Sequence, residues 1–359
     1  MNKVRIGLIG VGGIAQGAHL PALAENPDVE IAAICDVNPD TLKKVGEQYK
    51  VPENRRFADY RDLIACPDVD AVEVCTPNNM HVPCAMAAVQ AGKPVNVEKP
   101  LSLSCQTAQP LIDLLNRQPV VNMMCFSYRF RPAVRYARHL LEQGLLGDVV
   151  SVSVEYLKDS AFWEGRRLDW RFDKTIAGTG VLGDLGVHLI DMARYLLGEF
   201  REVSADCGTV VKTRKRLDSE EYAPVTTDDY CHFIAKLGKN SEIFANFTIS
   251  RCCVGHTNTI LYDVYGTKGV LSFDLNNPDV LGVCVGPVDL ECKNLHTVTV
   301  PAQYRDNAQA HAFRQEKTFV DAVLGRRSDL LPDIEEGMQC QRILDALLLS
   351  SEEKRWVKL

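Results

Sequence analysis

The sequence predicts a two-part α/β protein. Its amino-terminal half is built on a parallel sheet, and its carboxy-terminal α+β half carries a large open, mostly antiparallel sheet. Three observations lead there. Short apolar runs alternate with helical patterns over residues 1–125, the signature of βα units on a parallel sheet. Past Gly198, strand-like runs follow one another across short turns, which implies antiparallel pairing. The chain has 359 residues, 46% hydrophobic and 24% charged, an ordinary globular composition long enough for two domains. The boundary is placed after Cys125, giving domains 1–125 and 126–359.

The first run, Val4–Ile9, suits a buried parallel strand. Gly10-Val11-Gly12-Gly13-Ile14-Ala15 follows and opens a helix through about Asn26. In this G-x-G-x-x-A pattern Gly10 makes a tight turn, and Gly12 lets the backbone approach a pyrophosphate. Gly13 and Ile14 lead into the helix, and Ala15 permits close helix–strand packing. The helix N-terminus then faces the phosphates. The next strand, Glu30–Cys35, ends in Asp36, placed to accept hydrogen bonds from both adenosine ribose hydroxyls and to repel a 2′-phosphate. NAD is therefore favoured over NADP. Asn38, close by, either joins that site or caps the helix from Pro39.

The alternation continues with a short strand at Arg55–Phe57, a helix at Tyr60–Ala65 and a buried strand at Ala71–Cys75. A helix at about Val82–Ala91, a strand at Pro94–Val97, a helix at about Cys105–Asn116 and a strand at Val120–Cys125 complete a Rossmann dinucleotide-binding domain. Ligands of such sheets sit beyond the carboxyl ends of the strands. Asp36, the Thr76-Pro77-Asn78-Asn79 loop and Glu98-Lys99 all fall there. His81 belongs to the same group, ordering the Thr76–Asn79 loop rather than doing chemistry. Lys99 places an ammonium at a strand end where packing does not need one.

In the second half Arg131-Pro132 precedes a helix from about Ala133 to Gln143, stopped by Gly144 and Gly147. Val149–Leu157 alternates like a strand, and the aromatic and charged segment Phe162–Asp173 contains Trp170-Arg171. Strands are expected at Glu202–Val211, Asp229–Leu237, Ser241–Ser250, Thr259–Tyr265, Val270–Asp274, Val280–Val285 and His296–Val300. Helices at about Ala310–Leu324 and Ile334–Ser351 close the chain. One sheet face should pack on helices. The other, with Phe233 and Phe247, is expected to meet a second subunit in a homodimer or homotetramer. The basic run Lys212–Arg216, followed by Asp218, Glu220 and Glu221, reads as a solvated hairpin loop.

Between Phe162–Asp173 and the strands lies Gly178-Thr179-Gly180-Val181-Leu182-Gly183-Asp184-Leu185-Gly186-Val187-His188-Leu189-Ile190-Asp191. Its glycines would let a ligand or another backbone come close. Leu185, Leu189, Met192 and Leu196 recur at helical spacing as one buried stripe. Asp184 is expected to cap the helix, with His188 one turn along the same face. A carboxylate beside an imidazole fixes its tautomer and raises its basicity.

A net charge of −7 argues against nucleic acid or an anionic membrane as a partner. The 13 cysteines are scattered with no Cys-x-x-Cys pair, so neither a zinc ribbon nor a disulfide framework is expected. Buried thiols in a reducing cytoplasm fit better. His139, His232, His256, His296 and His311 show no ligand spacing, so no metal is expected. The amino terminus reads as a strand and turn rather than a secretory signal, and no apolar run looks long enough to span a bilayer.

With these residues in place, the chain resembles the glucose–fructose oxidoreductase / inositol dehydrogenase / rhizopine-catabolism (Gfo/Idh/MocA) family over nearly its whole length. The likeness rests on GLIGVGGIA, CTPNNMH, the Glu98-Lys99-Pro100 triplet, YRFRP, DWR, GTGVLGDLGVHLID and the closing SSEEKRWVKL. The resemblance implies an active site in a cleft between the two domains and hydride transfer between nicotinamide C4 and a hydroxyl-bearing carbon of a sugar, polyol or cyclitol. It implies that Lys99 hydrogen-bonds the reacting hydroxyl, that Asp184 orients or shares the proton, and that His188 is the general base. Thr76, Pro77, Asn79, Glu98 and Lys99 would line the nicotinamide end of the cofactor, and Arg129, Trp170 and Arg171 match positions near the cleft. A cis peptide at Lys99-Pro100 is also implied. Thr179 stands where the family usually has a glycine, as does Ala15; neither change removes a catalytic group.

Oxidising an alcohol needs a base for the hydroxyl proton, which suits a neutral imidazole, and a cation beside the developing alkoxide, which suits an ammonium. An NAD-dependent glycosidase working through transient oxidation and a non-catalytic NAD-binding regulator are the alternatives on the same fold. Regulators tend to lose the lysine or histidine that both stand here.

Overall fold

The computed structural model describes residues 3–238, 242–286, 294–305, 311–326, 328 and 330–359. Ser241 and Ala310, the expected first residues of a strand and a helix, lie outside them. The chain forms two compact units, Met1–Phe130 with Gln309–Gln341, and Arg131–Ala308 with Arg342–Leu359.

The first unit carries a six-stranded sheet in the order β3-β2-β1-β4-β5-β6. Its strands are β1 (Val4–Ile9), β2 (Val29–Cys35), β3 (Arg56–Phe57), β4 (Ala71–Val74), β5 (Val95–Val97) and β6 (Asn122–Met124). Every neighbouring pair is parallel, so all carboxyl ends point the same way. The connecting helices include α1 (Leu20–Glu25), α2 (Pro39–Gln48), α3 (Tyr60–Ala65), α4 (His81–Gln90) and α5 (Cys105–Arg117). Polar side chains cap α2, α3 and α5. Asn38 accepts from the Asp40 and Thr41 N–H groups, and Ser104 and Thr107 form a reciprocal capping box.

The sequence boundary assigned everything past residue 125 to the second domain. The structure returns 309–341 to the first unit. The reason is packing: Phe319 and Val320 join Ile6, Leu8, Leu20, Leu23, Ile34 and Met123 in one fully buried cluster.

The second unit holds α6 (Pro132–Glu142), β7 (Val149–Leu157), α7 (Lys174–Ala177), α8 (Val187–Leu197) and β8 (Phe200–Gly208). A hairpin of β9 (Thr213–Lys215) and β10 (Tyr222–Pro224) follows. Then come β11 (Tyr230–Leu237), β12 (Ile243–Ser250), β13 (Thr259–Gly266), β14 (Gly269–Asp274), β15 (Val280–Val285) and β16 (His296–Thr299). The last elements of the chain are α9 (His311–Val323), α10 (Ile334–Glu353) and β17 (Val357–Lys358). The nine-stranded sheet runs β16-β15-β14-β13-β7-β12-β11-β8-β17. Its pairs are antiparallel except β7 with β12, so the sheet is mixed and mostly antiparallel, as expected.

Three expectations change. Phe233 and Phe247 sit directly opposite in register with rings stacked 4.3 Å apart, and at 3% and 1% exposure they belong to the covered face. The open face carries Ile234, Phe244 and Tyr265 instead. The basic run lies in a hairpin, as expected, with Lys212, Thr213 and Arg216 exposed, but Thr213–Lys215 is strand and Arg214 is buried, donating to the carbonyls of Ala161 and Arg166, while Lys215 and Arg167 pair with Glu220. Finally, the segment Lys174–Leu197, from α7 through α8, is long and apolar enough to cross a membrane by length and composition, yet 89% of its apolar 18-residue window is buried inside the protein. It belongs to the core. The expected stripe of Leu185, Leu189, Met192 and Leu196 is buried, and α8 also buries Val187 through Ala193 without a break.

Candidate active site

The glycine turn after β1 is shaped as its sequence demands. Gly10 has φ +86°, and a Cβ there would lie 2.7 Å from the Cys75 carbonyl oxygen, so only glycine fits. A Cβ on Gly12 or Gly13 would meet nothing within 4 Å. The backbone there faces open space wide enough for a diphosphate to approach. Ile14 is exposed at this turn and Ala15 is fully buried beneath it. The helix that follows widens into a π-turn at Ala15–His19 before α1, a distortion often met at functional sites.

Asp36 ends β2. One of its carboxylate oxygens accepts from the Val11 N–H and the other from the Asn38 N–H, each at 2.9 Å. An ionised carboxylate has about four acceptor positions, so both oxygens keep capacity for a ribose diol. Asn38 itself is the cap of α2, and its side-chain oxygen is committed to that helix. Val37, which the motif reading passed over, projects 89% exposed beside Asp36.

At the carboxyl end of β4, Thr76 Oγ1 is buried with no hydrogen-bond partner among the described residues. Pro77 is half-buried and Asn79 exposed. An orphaned hydroxyl, an exposed amide and an open glycine turn on one edge of the sheet fit a dinucleotide. His81 is 1% exposed, with Nδ1 2.7 Å from the Pro100 carbonyl and Nε2 3.0 Å from that of Thr76. It ties two strand-end loops together rather than facing a ligand, and burial pushes its pKa below the ordinary value.

At the end of β5 the Lys99-Pro100 peptide is cis, as the resemblance implied. Lys99 is half-buried. Glu98 turns inward at 8% exposure, one oxygen 2.9 Å from His19 Nε2 and the other accepting from the Lys99 N–H at 3.0 Å. Burial alone would raise its pKa, but the hydrogen bond and charge of His19 outweigh that and hold it below the usual value. Arg129 is 3% exposed, bonded to Glu336 at 2.6 Å and lying over the Phe126 ring.

In the second unit the glycine-rich stretch works differently from its first reading. Gly178, at φ +77°, stops α7. A Cβ on Gly180 would lie 1.9 Å from the Asp228 carbonyl oxygen, so the close approach is by backbone of the same unit. A π-turn at Leu182–Gly186 then leads into α8. Asp184 does not cap it. Its own N–H donates to the Gly180 carbonyl, and the cap comes from Asp228, whose two carboxylate oxygens accept from the Gly180 and Leu182 N–H groups at 2.5 and 2.8 Å. Asp184 is half-buried on the π-turn, and His188 follows at 7% exposure.

Asp228 also belongs to a segment that holds the neighbouring loop. Thr226 N–H donates to the Phe172 carbonyl and Thr227 Oγ1 to that of Arg171, both at 3.0 Å. Trp170–Phe172 is a 3₁₀ turn capped by Asp169, and the Arg171 guanidinium lies 4.4 Å over the Trp170 ring. Nothing in the motif reading pointed to Asp228. The adjacent pair Asp228-Asp229 just ahead of a buried strand was the available signal.

The fold, the glycine turn and the strand-end residues define a class, the dinucleotide-binding oxidoreductases. Comparison with known proteins narrows it. Residues 4–126 match the NAD-binding Rossmann-fold domain of the GFO/IDH/MocA oxidoreductase family, and residues 138–359 match that family's C-terminal alpha/beta domain. The chain belongs to this family and is an NAD-dependent oxidoreductase acting on CH–OH groups. It is 29% identical to the levoglucosan dehydrogenase of Pseudarthrobacter phenanthrenivorans, over 99% of this chain and 98% of that one. It is 28% identical to the glucose-6-phosphate 3-dehydrogenase of Bacillus subtilis, over 95% and 94%. A solved levoglucosan dehydrogenase in complex with NADH and L-sorbose superposes with a TM-score of 0.90 at 28% identity, covering 99% of this chain and 98% of the other.

Proposed function

We propose that the protein oxidises a secondary hydroxyl of a sugar or closely related polyol or cyclitol, with Lys99, Asp184 and His188 as its catalytic residues. The observation that carries this reading is Lys99. It stands two residues past β5 at the carboxyl edge of the sheet, the edge that also holds the glycine turn, Asp36 and the Thr76 hydroxyl, which has no partner among the described residues. The names of similar proteins, dehydrogenases of levoglucosan and of glucose 6-phosphate, support the substrate class.

NAD, when bound, supplies the hydride acceptor at nicotinamide C4. The chain's own groups do the rest. Gly12 and Gly13 leave their backbone open to the diphosphate, Asp36 holds the adenosine ribose, and Val37 offers an apolar edge to the adenine. Lys99 donates a hydrogen bond to the reacting oxygen and stabilises the charge that grows there. His188 takes the hydroxyl proton, and Asp184 orients the ring that receives it. The open sheet face with Ile234, Phe244 and Tyr265 is proposed to join copies in a homodimer or homotetramer, which light scattering on the purified protein decides. A cytoplasmic setting is proposed from the many unpaired thiols.

The test is a panel of aldoses, anhydrosugars, sugar phosphates, polyols and inositols with NAD, followed by NADH absorbance. At least one sugar-class compound should reduce NAD with saturation kinetics. Reduction by simple aliphatic alcohols alone, with none of the panel active, contradicts the substrate class.

A further inference from the structure

Beneath the glycine turn lies a buried polar cage that the sequence reading passed over. His19 closes the π-turn and is 1% exposed. Its Nδ1 lies 2.9 Å from Glu316 Oε1 and 3.2 Å from Glu73 Oε2, and its Nε2 lies 2.9 Å from Glu98 Oε1. Glu73 and Glu316 are fully buried. Asn96 Nδ2 donates to Glu316 at 3.3 Å, Gln315 Nε2 donates to Glu316 at 3.0 Å, and the Cys75 and Cys125 thiols complete the wall. The groups come from β4, the ends of β4, β5 and β6, and α9.

The geometry sets the protonation. Both ring nitrogens face carboxylate oxygens at hydrogen-bond distance. A neutral imidazole has one N–H and can satisfy only one side, whereas an imidazolium satisfies both. Glu73 and Glu316 crowd the same Nδ1, and two buried carboxylates this close cannot both ionise, so they hold one proton between them. The pKa directions agree. Burial pushes His19 down, but the charge and hydrogen bond of the Glu316 carboxylate work against it, and His19 is left well above its ordinary value. Burial and the charge of Glu316 raise Glu73 well above its own, which places the shared proton there. Burial would raise Glu316 as well, but the charge of His19 outweighs it and keeps Glu316 ionised.

We propose that His19, held as an imidazolium in this cage, is a positioning residue for Lys99. It clamps the Glu98 carboxylate, and Glu98 in turn holds the Lys99 backbone N–H. The helix that opens at the diphosphate end of the cofactor site is thereby pinned to the loop that presents the ammonium. This rests on the reading of Lys99 as a catalytic group, but the charge of His19 can be tested without it.

The first measurement is nitrogen NMR on protein labelled at histidine ¹⁵N, with His19→Gln to identify the resonance and Glu98→Gln as a second, shape-preserving variant that should perturb it. Both His19 nitrogens are expected to stay protonated across the pH range in which surface histidines titrate. A neutral His19 ring in that range overturns the proposal. So does a stoichiometric divalent metal in the purified protein that chelators remove with a change in the His19 signals, since the cage would then be a ligand set. The second measurement is kinetic. Glu98→Gln and His19→Gln should each lower kcat at least about tenfold with KM for NAD within about threefold, and the loss should disappear in a Lys99→Met background because both act through Lys99. A loss that adds fully to that of Lys99→Met overturns the positioning role. If Lys99→Met itself leaves turnover unchanged, the catalytic reading of Lys99 fails, while the NMR result on His19 stands apart from it.

Discussion

One carboxylate, that of Asp36, fixes the glycine turn through the Val11 N–H and is also proposed to hold the ribose diol. That dual use yields a sign for its replacement. Asp36→Ser removes the acceptor and the repulsion of a 2′-phosphate together, so KM for NAD should rise at least about tenfold while that for NADP falls or stays level. Steady-state kinetics with both cofactors decide it, and equal losses for both would contradict the ribose role. Residues whose purpose is local were readable: Gly10 needs a positive φ and Asn38 sits before a proline that starts a helix. His19 and Asp228 were not, because their partners lie far along the chain and only the fold brings Glu316 to His19 or Gly180 to Asp228.

Asp228 also fixes a whole element. Its carboxylate satisfies two buried N–H groups at the entrance to the π-turn that carries Asp184. Asp228→Ala would leave both without acceptors, at a cost of about 2–4 kcal/mol, whereas Asp228→Asn keeps one oxygen acceptor and should cost roughly half as much. Urea unfolding of the two variants checks the order. A fall in stability of less than about 0.5 kcal/mol in Asp228→Ala would mean that the turn is held elsewhere. Alternation and caps made most strands and helices legible to within a few residues. The π-turns at Ala15–His19 and Leu182–Gly186 were not legible, since one extra residue in a helical turn leaves composition and apolar spacing almost unchanged. The strand pattern likewise groups Phe233 with its face-mates, but alternation cannot say which face is covered.

For the whole molecule, the chain's return to its first unit matters most. α9 seals the nucleotide-binding core with Phe319 and Val320 and supplies Glu316 to the cage. Phe319→Ala should cost about 3–5 kcal/mol, read as a lowered urea midpoint, although Ile6 of the same cluster lies more than 300 residues away along the chain. A plain sequence pass placed this helix in the second domain because contiguous chain is the simplest assumption. The cage also gives stability a pH dependence. His19 is raised above 6.5 and Glu73 above 4.5, so their contributions are complete below those values and are lost as pH climbs through the folded values. Glu98 and Glu316 are lowered below 4.5, so theirs are present above that value and are lost as pH falls through the folded values. Through these groups the urea midpoint should be greatest near about pH 4.5 and decline as pH rises, more steeply above about pH 6.5 where His19 adds to Glu73, and His19→Gln should flatten that steeper part. A steeper alkaline decline in the variant would contradict the charge assignment.

The central claim is that Lys99 and His188 serve one hydride transfer from a sugar carbon to NAD. A single-turnover reaction with the active sugar deuterated at its oxidised carbon tests this most directly. The account predicts deuterium at nicotinamide C4 in the product, a primary isotope effect, and transfer slowed at least about 100-fold in Lys99→Met and in His188→Gln while the NAD dissociation constant stays within about threefold. Absence of deuterium from the nicotinamide, or wild-type transfer rates in either variant, would contradict it.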